Sequence, residues 1–85
     1  MGWEPISEAE FFPLLADNEE HEFAIVLSGG VLSIKTIKKN KNGRYSIFNS
    51  IDSSTQYLTR TDLFRKPITN IGYALRRGSL VVHKE

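Results

Sequence analysis

The sequence predicts an α+β domain built around a three-stranded antiparallel sheet. Two turn signals, Gly29-Gly30 and Asn42-Gly43, separate β-prone segments and predict two successive hairpins. Capping patterns predict one helix before the hairpins and a second one after them. At 85 residues the chain is long enough for one small domain, spanning residues 1–85.

The N-terminal part of the chain predicts a short, bent helix over about 7–17. Ser7 and Glu10 have the spacing of a capping box, and acidic side chains in the first turn complement the positive end of the helix dipole. Pro13 lies beyond the first turn, so we expect it to kink the helix. Residues 3–6 precede the helix as an extended lead-in.

The three strands of the predicted meander lie at about 22–28, 31–39 and 44–51. Two-residue turns would place Ile25 opposite Ile34 and Lys38 opposite Ile47. On this register the core face carries Phe23, Ile25, Leu27, Leu32, Ile34, Tyr45, Ile47 and Ile51. The second face carries Ala24, Val26, Val31, Lys35, Ile37, Lys39, Arg44 and Phe48.

The C-terminal part of the chain predicts a polar connection, two helical segments and a strand. Residues 52–58 are the connection, and 59–66 form a helical turn that Pro67 stops. A short helix follows at about 69–77, capped by Thr69. Gly78 ends it, and a short strand at about 79–83 pairs with an edge of the sheet.

Charge is unevenly distributed along the chain. Residues 1–34 hold seven acidic side chains and no Lys or Arg, whereas residues 35–85 hold all 11 basic side chains and three acidic ones. Two interpretations are open. The basic part faces a polyanion, or the two parts lie side by side and neutralise each other.

The residue types argue against several kinds of chemistry. The chain has no cysteine, which excludes disulfides, cysteine zinc sites and thiol nucleophiles. His21 and His83 lack partners at the spacing of a histidine zinc site, and residues 17–22 lack the pattern of a calcium-binding loop. We therefore expect no catalytic residue, no metal site and no cofactor, and interpret the chain as non-enzymatic.

The apolar runs of the sequence are too short to predict a membrane-spanning helix. The longest uninterrupted run is Phe23 to Leu27, whereas a membrane helix needs about 20 apolar residues. The first basic residue is Lys35, so the chain lacks the basic start of a secretory signal. We expect a cytoplasmic protein with no membrane partner.

Two functions are compatible with these features. The first is a non-enzymatic interaction or accessory protein that acts through the second face, centred on Val26, Ile37 and Phe48. Its partner is either an unknown protein or a second copy of the chain, which would make a homodimer. The alternative is nucleic-acid binding, which requires the two basic clusters on one continuous face. The residues for that alternative are Lys35, Lys38, Lys39, Lys41, Arg44, Arg76 and Arg77.

Overall fold

Six antiparallel strands form a single sheet in the computed structural model, which describes residues 2–65 and 69–84. The strands are β1 (Gly2–Pro5), β2 (His21–Leu27), β3 (Gly30–Lys39), β4 (Tyr45–Asn49), β5 (Ser54–Leu58) and β6 (Leu80–Lys84). The helices are α1 (Glu8–Leu15), α2 (Arg60–Arg65) and α3 (Ile71–Arg77). Across the sheet the strand order is β1-β6-β2-β3-β4-β5. The predicted α+β class is confirmed.

All three helices contribute side chains to one core on the same side of the sheet, which we call the covered face. Phe11 of α1 packs against Phe23 of β2, with ring centroids 5.2 Å apart. Burying an apolar side chain of this size stabilises the fold by roughly 1.5–3 kcal/mol. The helices contribute Phe11, Leu15, Leu63, Ile71, Ala74 and Leu75, and the strands contribute Phe23, Ile25, Ile37, Tyr45, Ile47, Leu80 and Val82.

Strands β1 and β5 extend the sheet beyond the predicted meander. The sequence predicts an extended lead-in for the first segment and a polar connection for the second. Strand β1 instead pairs with β6, and β5 pairs with β4. The backbone of β5 forms a full ladder with β4 although its side chains are largely polar, because an edge strand is held by main-chain hydrogen bonds more than by burial.

The hairpin between β2 and β3 has a different register from the predicted one. Leu27 pairs with Gly30, so the two-residue turn is Ser28-Gly29 and not Gly29-Gly30. A β-bulge then shifts the pairing by one residue. Beyond the bulge Ile25 lies opposite Ser33, and the predicted pairing with Ile34 is wrong.

The one-residue shift exchanges the faces of β3, because neighbouring side chains in a strand point to opposite sides. Ile37 and Lys35 lie on the covered face, so their predicted placement on the second face is wrong. Ile34, predicted for the core, lies on the opposite face beside Ala24. The side chains of Leu27 and Leu32 lie outside the described part of the structure.

The second hairpin has a longer loop than Asn42-Gly43 predicts. Tyr45 pairs with Lys39 and Ile47 with Ile37, again one residue from the predicted register. The Asn40 N–H donates to the Arg44 carbonyl at 2.8 Å and closes the loop. Lys39 therefore lies on the covered face, opposite Tyr45, and its predicted placement on the second face is wrong. Ile51, predicted for the core, lies in the turn after β4 and is exposed.

The helix ends follow the predicted capping with small displacements. The Glu10 carboxylate accepts hydrogen bonds from the Ser7 N–H at 3.1 Å and the Ser7 hydroxyl at 2.8 Å. Helix α1 contains Pro13 and ends two residues later. Helix α3 begins at Ile71, two residues after the predicted start. Its first N–H, that of Ile71, donates to the Thr69 hydroxyl at 3.3 Å, so Thr69 binds the start of the helix as predicted. The predicted stop at Pro67 lies outside the described residues.

Three exposed carboxylates hold turns and helix starts through local hydrogen bonds. Bonds from Ser7 lower the pKa of Glu10 below its ordinary value of 4.5. Bonds from the Glu19 N–H and from His21 lower the pKa of Asp17 below 3.8, and bonds from Ser54 do the same for Asp52. In each case the ionised form is the one that the fold favours.

These carboxylates make the fold sensitive to acid. A carboxyl group with a lower pKa in the folded state stabilises the fold above its unfolded pKa, and this stabilisation is lost as the pH falls through the folded pKa. We expect the free energy of unfolding, measured with urea at intervals from pH 6 to pH 2, to decline below the ordinary values of 4.5 for Glu10 and 3.8 for Asp17 and Asp52. In Ser7→Ala the decline should be smaller. A curve that stays flat to pH 2 would contradict the assignment.

Gly72 in α3 allows α2 and α3 to approach closely. A Cβ atom at this position would overlap the backbone carbonyl of Phe64. Replacing glycine by alanine in a free helix gains about 1 kcal/mol. We expect Gly72→Ala to lose about 1–3 kcal/mol instead, because the helices must separate.

The matched control is Gly29→Ala, where a Cβ would meet nothing within 4 Å. Urea unfolding should place this variant within about 0.5 kcal/mol of the wild type. A Gly72→Ala protein as stable as the wild type would show that α2 and α3 do not pack as described.

Candidate functional site: the uncovered face of the sheet

The side of the sheet opposite the core carries none of the described helices, and we call it the open face. Side chains reach it from every strand, as the alternation of the strands requires. Its members are Trp3, Glu22, Ala24, Val26, Val31, Ile34, Thr36, Lys38, Ser46, Phe48, Thr55, Tyr57, Val81 and His83.

Large apolar side chains are concentrated on the open face. Four of them remain exposed there: Trp3 at 43%, Val31 at 61%, Phe48 at 40% and Tyr57 at 63%. Elsewhere in the described chain, the strongly exposed large apolar residues are Ile51 and Tyr73. Single exposed apolar residues are ordinary, whereas several on one face mark an interaction surface.

The strand register arranges these side chains in rows across the sheet. One row runs from Thr36 through Phe48 to Thr55, and the next runs from Lys38 through Ser46 to Tyr57. These two rows, with Glu20 at their border, line a shallow depression. Its lining therefore combines two aromatic rings with three hydroxyl-bearing side chains.

A second aromatic group lies at the opposite side of the open face. Trp3 of β1 contacts His83 of β6 edge to face, with ring centroids 5.0 Å apart. Val81, Ala24 and Ile34 lie in the rows between this pair and the second hairpin. The open face therefore has aromatic side chains at both sides and small or aliphatic ones in the middle.

The predicted interaction centre is divided between the two faces. Val26 and Phe48 lie on the open face, whereas Ile37 is fully buried in the core. Trp3 and Tyr57 belong to the open face but not to the predicted centre, because β1 and β5 are not expected from the sequence. Val31, at the start of β3, shares the open face as predicted.

Charge on the open face is mixed in sign. Lys38 is its single basic side chain among the described residues, apart from His83 at the side. Glu22 lies on the same face in the neighbouring strand, and Glu20 borders the depression next to Lys38. The face therefore lacks the excess positive charge that a polyanion requires.

The other predicted nucleic-acid-binding cations are dispersed. Lys35 and Lys39 lie on the covered face, where Lys35 is buried. Lys41 and Arg44 are exposed on the loop that joins β3 to β4. At the end of α3 the guanidinium groups stack on rings. Arg76 lies over Phe64 and Arg77 over Tyr73, each 5.3 Å from the ring centroid.

The loop cations and the α3 cations lie at opposite ends of the sheet. The segment after α3 joins the far end of β2, where the Val26 N–H donates to the Ser79 carbonyl at 2.9 Å. Residues 33–39 of β3 separate that end from the loop, which is about 20 Å at 3.3 Å per residue. Fields from exposed charges decay over about 8–10 Å at ordinary salt concentrations. The two clusters therefore do not form one continuous face.

The acidic segment before β2 forms a local pair. Nε2 of His21 lies 2.9 Å from Oδ2 of Asp17, and the Glu19 N–H donates to the same carboxylate. Within residues 2–65 and 69–84 there is no group of three or more His, Asp or Glu side chains placed to hold a metal ion. None of the helices described has the length and apolarity to cross a membrane.

Paired substitutions test the assignment of the two faces. Ile37→Ala removes a fully buried side chain, and we expect it to lower the free energy of unfolding by about 2–5 kcal/mol. Phe48→Ala removes a larger but exposed side chain, and its cost should be below about 1 kcal/mol. Urea unfolding of both variants measures the difference. Equal losses, or a larger loss for Phe48→Ala, would refute the register of β3.

Comparisons with protein-family models, with curated proteins and with solved structures found no match. The functional assignment therefore depends on the chain's own surfaces, of which the open face is the most distinctive.

Proposed function

We propose that this chain is a non-enzymatic interaction protein that binds another protein through the open face. The observation that supports this most directly is the exposure of Trp3, Val31, Phe48 and Tyr57 on one side of one sheet. A folded sheet of this kind has its core on the other side, so these side chains are not needed to complete the fold. Exposing them to water is unfavourable, and a partner that covers them removes that cost.

The composition of the open face suits a protein partner. Aromatic residues are enriched at the centres of protein interfaces, where they supply large contact areas with little loss of side-chain entropy. The hydroxyl groups of Thr36, Ser46 and Thr55 add hydrogen-bonding capacity between the rings. Lys38 and Glu22 add one charge of each sign, which favours a partner with mixed charge.

Nucleic-acid binding is the alternative, and the charge distribution gives it less support. Exposed rings on a sheet can stack on bases, and Phe48 and Tyr57 are open to such contact. However, affinity for nucleic acid depends mainly on cations that neutralise phosphates. On the open face Lys38 is offset by Glu22, and the remaining basic residues lie on other surfaces.

Photo-crosslinking tests the proposal at two matched tyrosines. Tyr57 lies on the open face and Tyr73 on α3, with similar exposures of 63% and 53%. With benzoylphenylalanine at position 57 in the cells that produce the chain, we expect a discrete crosslinked protein, identified by mass spectrometry. The same group at position 73 should not give that product.

A second substitution makes this result specific. Phe48→Asp places a charge at the centre of the surface and should reduce the crosslink from position 57 by at least about tenfold. A crosslinked dimer of the chain would identify a second copy as the partner, and sedimentation velocity would then show a dimer that Phe48→Asp dissociates. Equal crosslinking from positions 57 and 73, or none from position 57, would contradict the proposal.

A titration distinguishes the nucleic-acid alternative. We expect mixed single- and double-stranded DNA and RNA to cause no saturable change in the amide NMR spectrum at low salt. Salt-reversible shifts centred on Lys38, Lys41 and Arg44, abolished by Arg44→Glu, would favour nucleic-acid binding instead.

A further inference from the structure

The sheet ends in two edge strands, β1 and β5, each of which pairs with only one of the described strands. An edge strand presents main-chain N–H and C=O groups with which a further strand can pair. Natural sheets block such edges with proline, with charged side chains or by keeping the edge strand short. The two edges of this sheet differ, because one is blocked in this way and the other is not.

Strand β1 is the blocked edge. The Ile6 N–H donates to the Leu80 carbonyl at 3.2 Å, and in a strand the main-chain groups of alternate residues point to the same side. Glu4 therefore bonds β6, whereas Trp3 and Pro5 direct their main-chain groups away from the sheet. Proline has no N–H to donate. The outer side of β1 thus lacks a donor that an added strand would need.

The pairing of β3 with β4 determines which main-chain groups of β5 are free. The Asn40 N–H donates to the Arg44 carbonyl at 2.8 Å, and the Ser50 N–H donates to the Ile34 carbonyl at 3.2 Å. Both bonds continue the register of the ladder between β3 and β4, so the even-numbered residues of β4 bond β3. The odd-numbered residues of β4 point the other way and bond β5, where their partners are the even-numbered residues.

Thr55 and Tyr57 therefore direct their N–H and C=O groups to the outer side of β5. Both residues are exposed, and none of the described strands pairs with this side of β5. The strand contains no proline and no charged side chain, which are the usual means of blocking an edge. The outer side of β5 thus keeps every donor and acceptor that an added strand requires.

The same edge of a second copy of the chain is complementary to this one. In an antiparallel pair centred on Gln56, all five residues of each β5 strand are paired, and Thr55 of each copy lies opposite Tyr57 of the other. The free main-chain groups of these two residues then face each other and exchange hydrogen bonds. Their side chains meet on the open face as aromatic and β-branched neighbours, a combination that stabilises paired strands.

The charges beyond the two ends of β5 favour this antiparallel arrangement. Asp52 precedes the strand by two residues and Arg60 follows it by two, so pairing centred on Gln56 brings Asp52 of one copy to the end where Arg60 of the other lies. A parallel pair would instead bring like charges together. Within the described chain neither side chain forms an ion pair, since Asp52 accepts hydrogen bonds from Ser54 and Arg60 lies over the Phe12 ring.

We propose that two copies of the chain associate by antiparallel pairing of their β5 strands. The two six-stranded sheets then form one continuous sheet, with both open faces on one side and the helices of both copies on the other. Because the paired strands are short, the interface is small and the dimer dissociates on dilution. The proposal concerns main-chain groups at the edge and does not rest on the binding of a partner to the open face.

A proline substitution tests the pairing while leaving the ladder between β4 and β5 intact. Thr55→Pro removes an N–H from the outer side of β5, where an edge strand tolerates proline. Sedimentation equilibrium at concentrations up to about 1 mM should show a monomer–dimer equilibrium for the wild type. In Thr55→Pro the dissociation constant should rise at least about tenfold, because each dimer loses two main-chain hydrogen bonds. The amide NMR spectrum verifies that the variant is folded.

A charge substitution provides a second test if Thr55→Pro does not fold. Arg60→Glu places like charges at both ends of the paired strands and should also raise the dissociation constant, with a smaller effect at high salt. The matched control is Arg65→Glu, which makes the same charge change at the exposed far end of α2 and should dimerise as the wild type does. A wild type that stays monomeric at all concentrations would overturn the proposal, and so would a folded Thr55→Pro with the wild-type dissociation constant.

The edge dimer and a dimer formed through the open face respond to different variants. Phe48→Asp alters the open face one strand away from the edge and should leave the β5 pairing in place. A dimer that Phe48→Asp dissociates and Thr55→Pro does not would overturn the edge pairing while supporting the proposed function. Because the edge dimer also brings position 57 close to the other copy, the variant that removes a crosslinked dimer assigns its interface.

Discussion

The β-bulge between β2 and β3 determines which side chains the helices cover. Because strand side chains alternate, one extra residue moves every following side chain of β3 to the other face. The bulge places Ile37 on the covered face, where it belongs to the same core as Phe11 and Leu15 of α1. It also turns Lys35 inward, away from solvent. The proposed function depends on this register, since it defines the open face.

Layering explains why the two faces differ so strongly. Three short helices cover the central strands on one side of the six-stranded sheet, and the described chain has no further element for the other side. An antiparallel sheet tolerates this arrangement when its second face is polar. Here the second face instead carries the exposed aromatic side chains of Trp3, Phe48 and Tyr57, so it is more apolar than a face that only contacts water needs to be. That excess is the physical basis for the proposal that a partner covers this face.

Local features of the fold could be predicted from the sequence, whereas the pairing register of the strands could not. The capping pattern at Ser7 and Glu10, the helix end at Gly78 and the inward direction of Phe23 and Ile25 are all local properties that the structure contains. The bulge is different, because the Gly29-Gly30 signal is compatible with more than one two-residue turn, and the structure has Ser28-Gly29 in the turn. Strand β5 likewise depends on a partner that is distant from local sequence signals, because it is defined by its pairing with β4. Its polar side chains give no alternating pattern, so Tyr57 and Gln56 have no sequence signal that would assign them to a surface.

Solvent accessibility of individual side chains tests the central claim most directly. A soluble gadolinium chelate, added to the monomeric chain at low concentration, broadens the NMR signals of side chains that it can approach. The described register predicts strong broadening of the ring signals of Trp3, Phe48 and Tyr57 and little effect on Phe23 and Ile37. Broadening of Ile37, or protection of Phe48 and Tyr57 in the monomer, would contradict the two-faced organisation of the sheet.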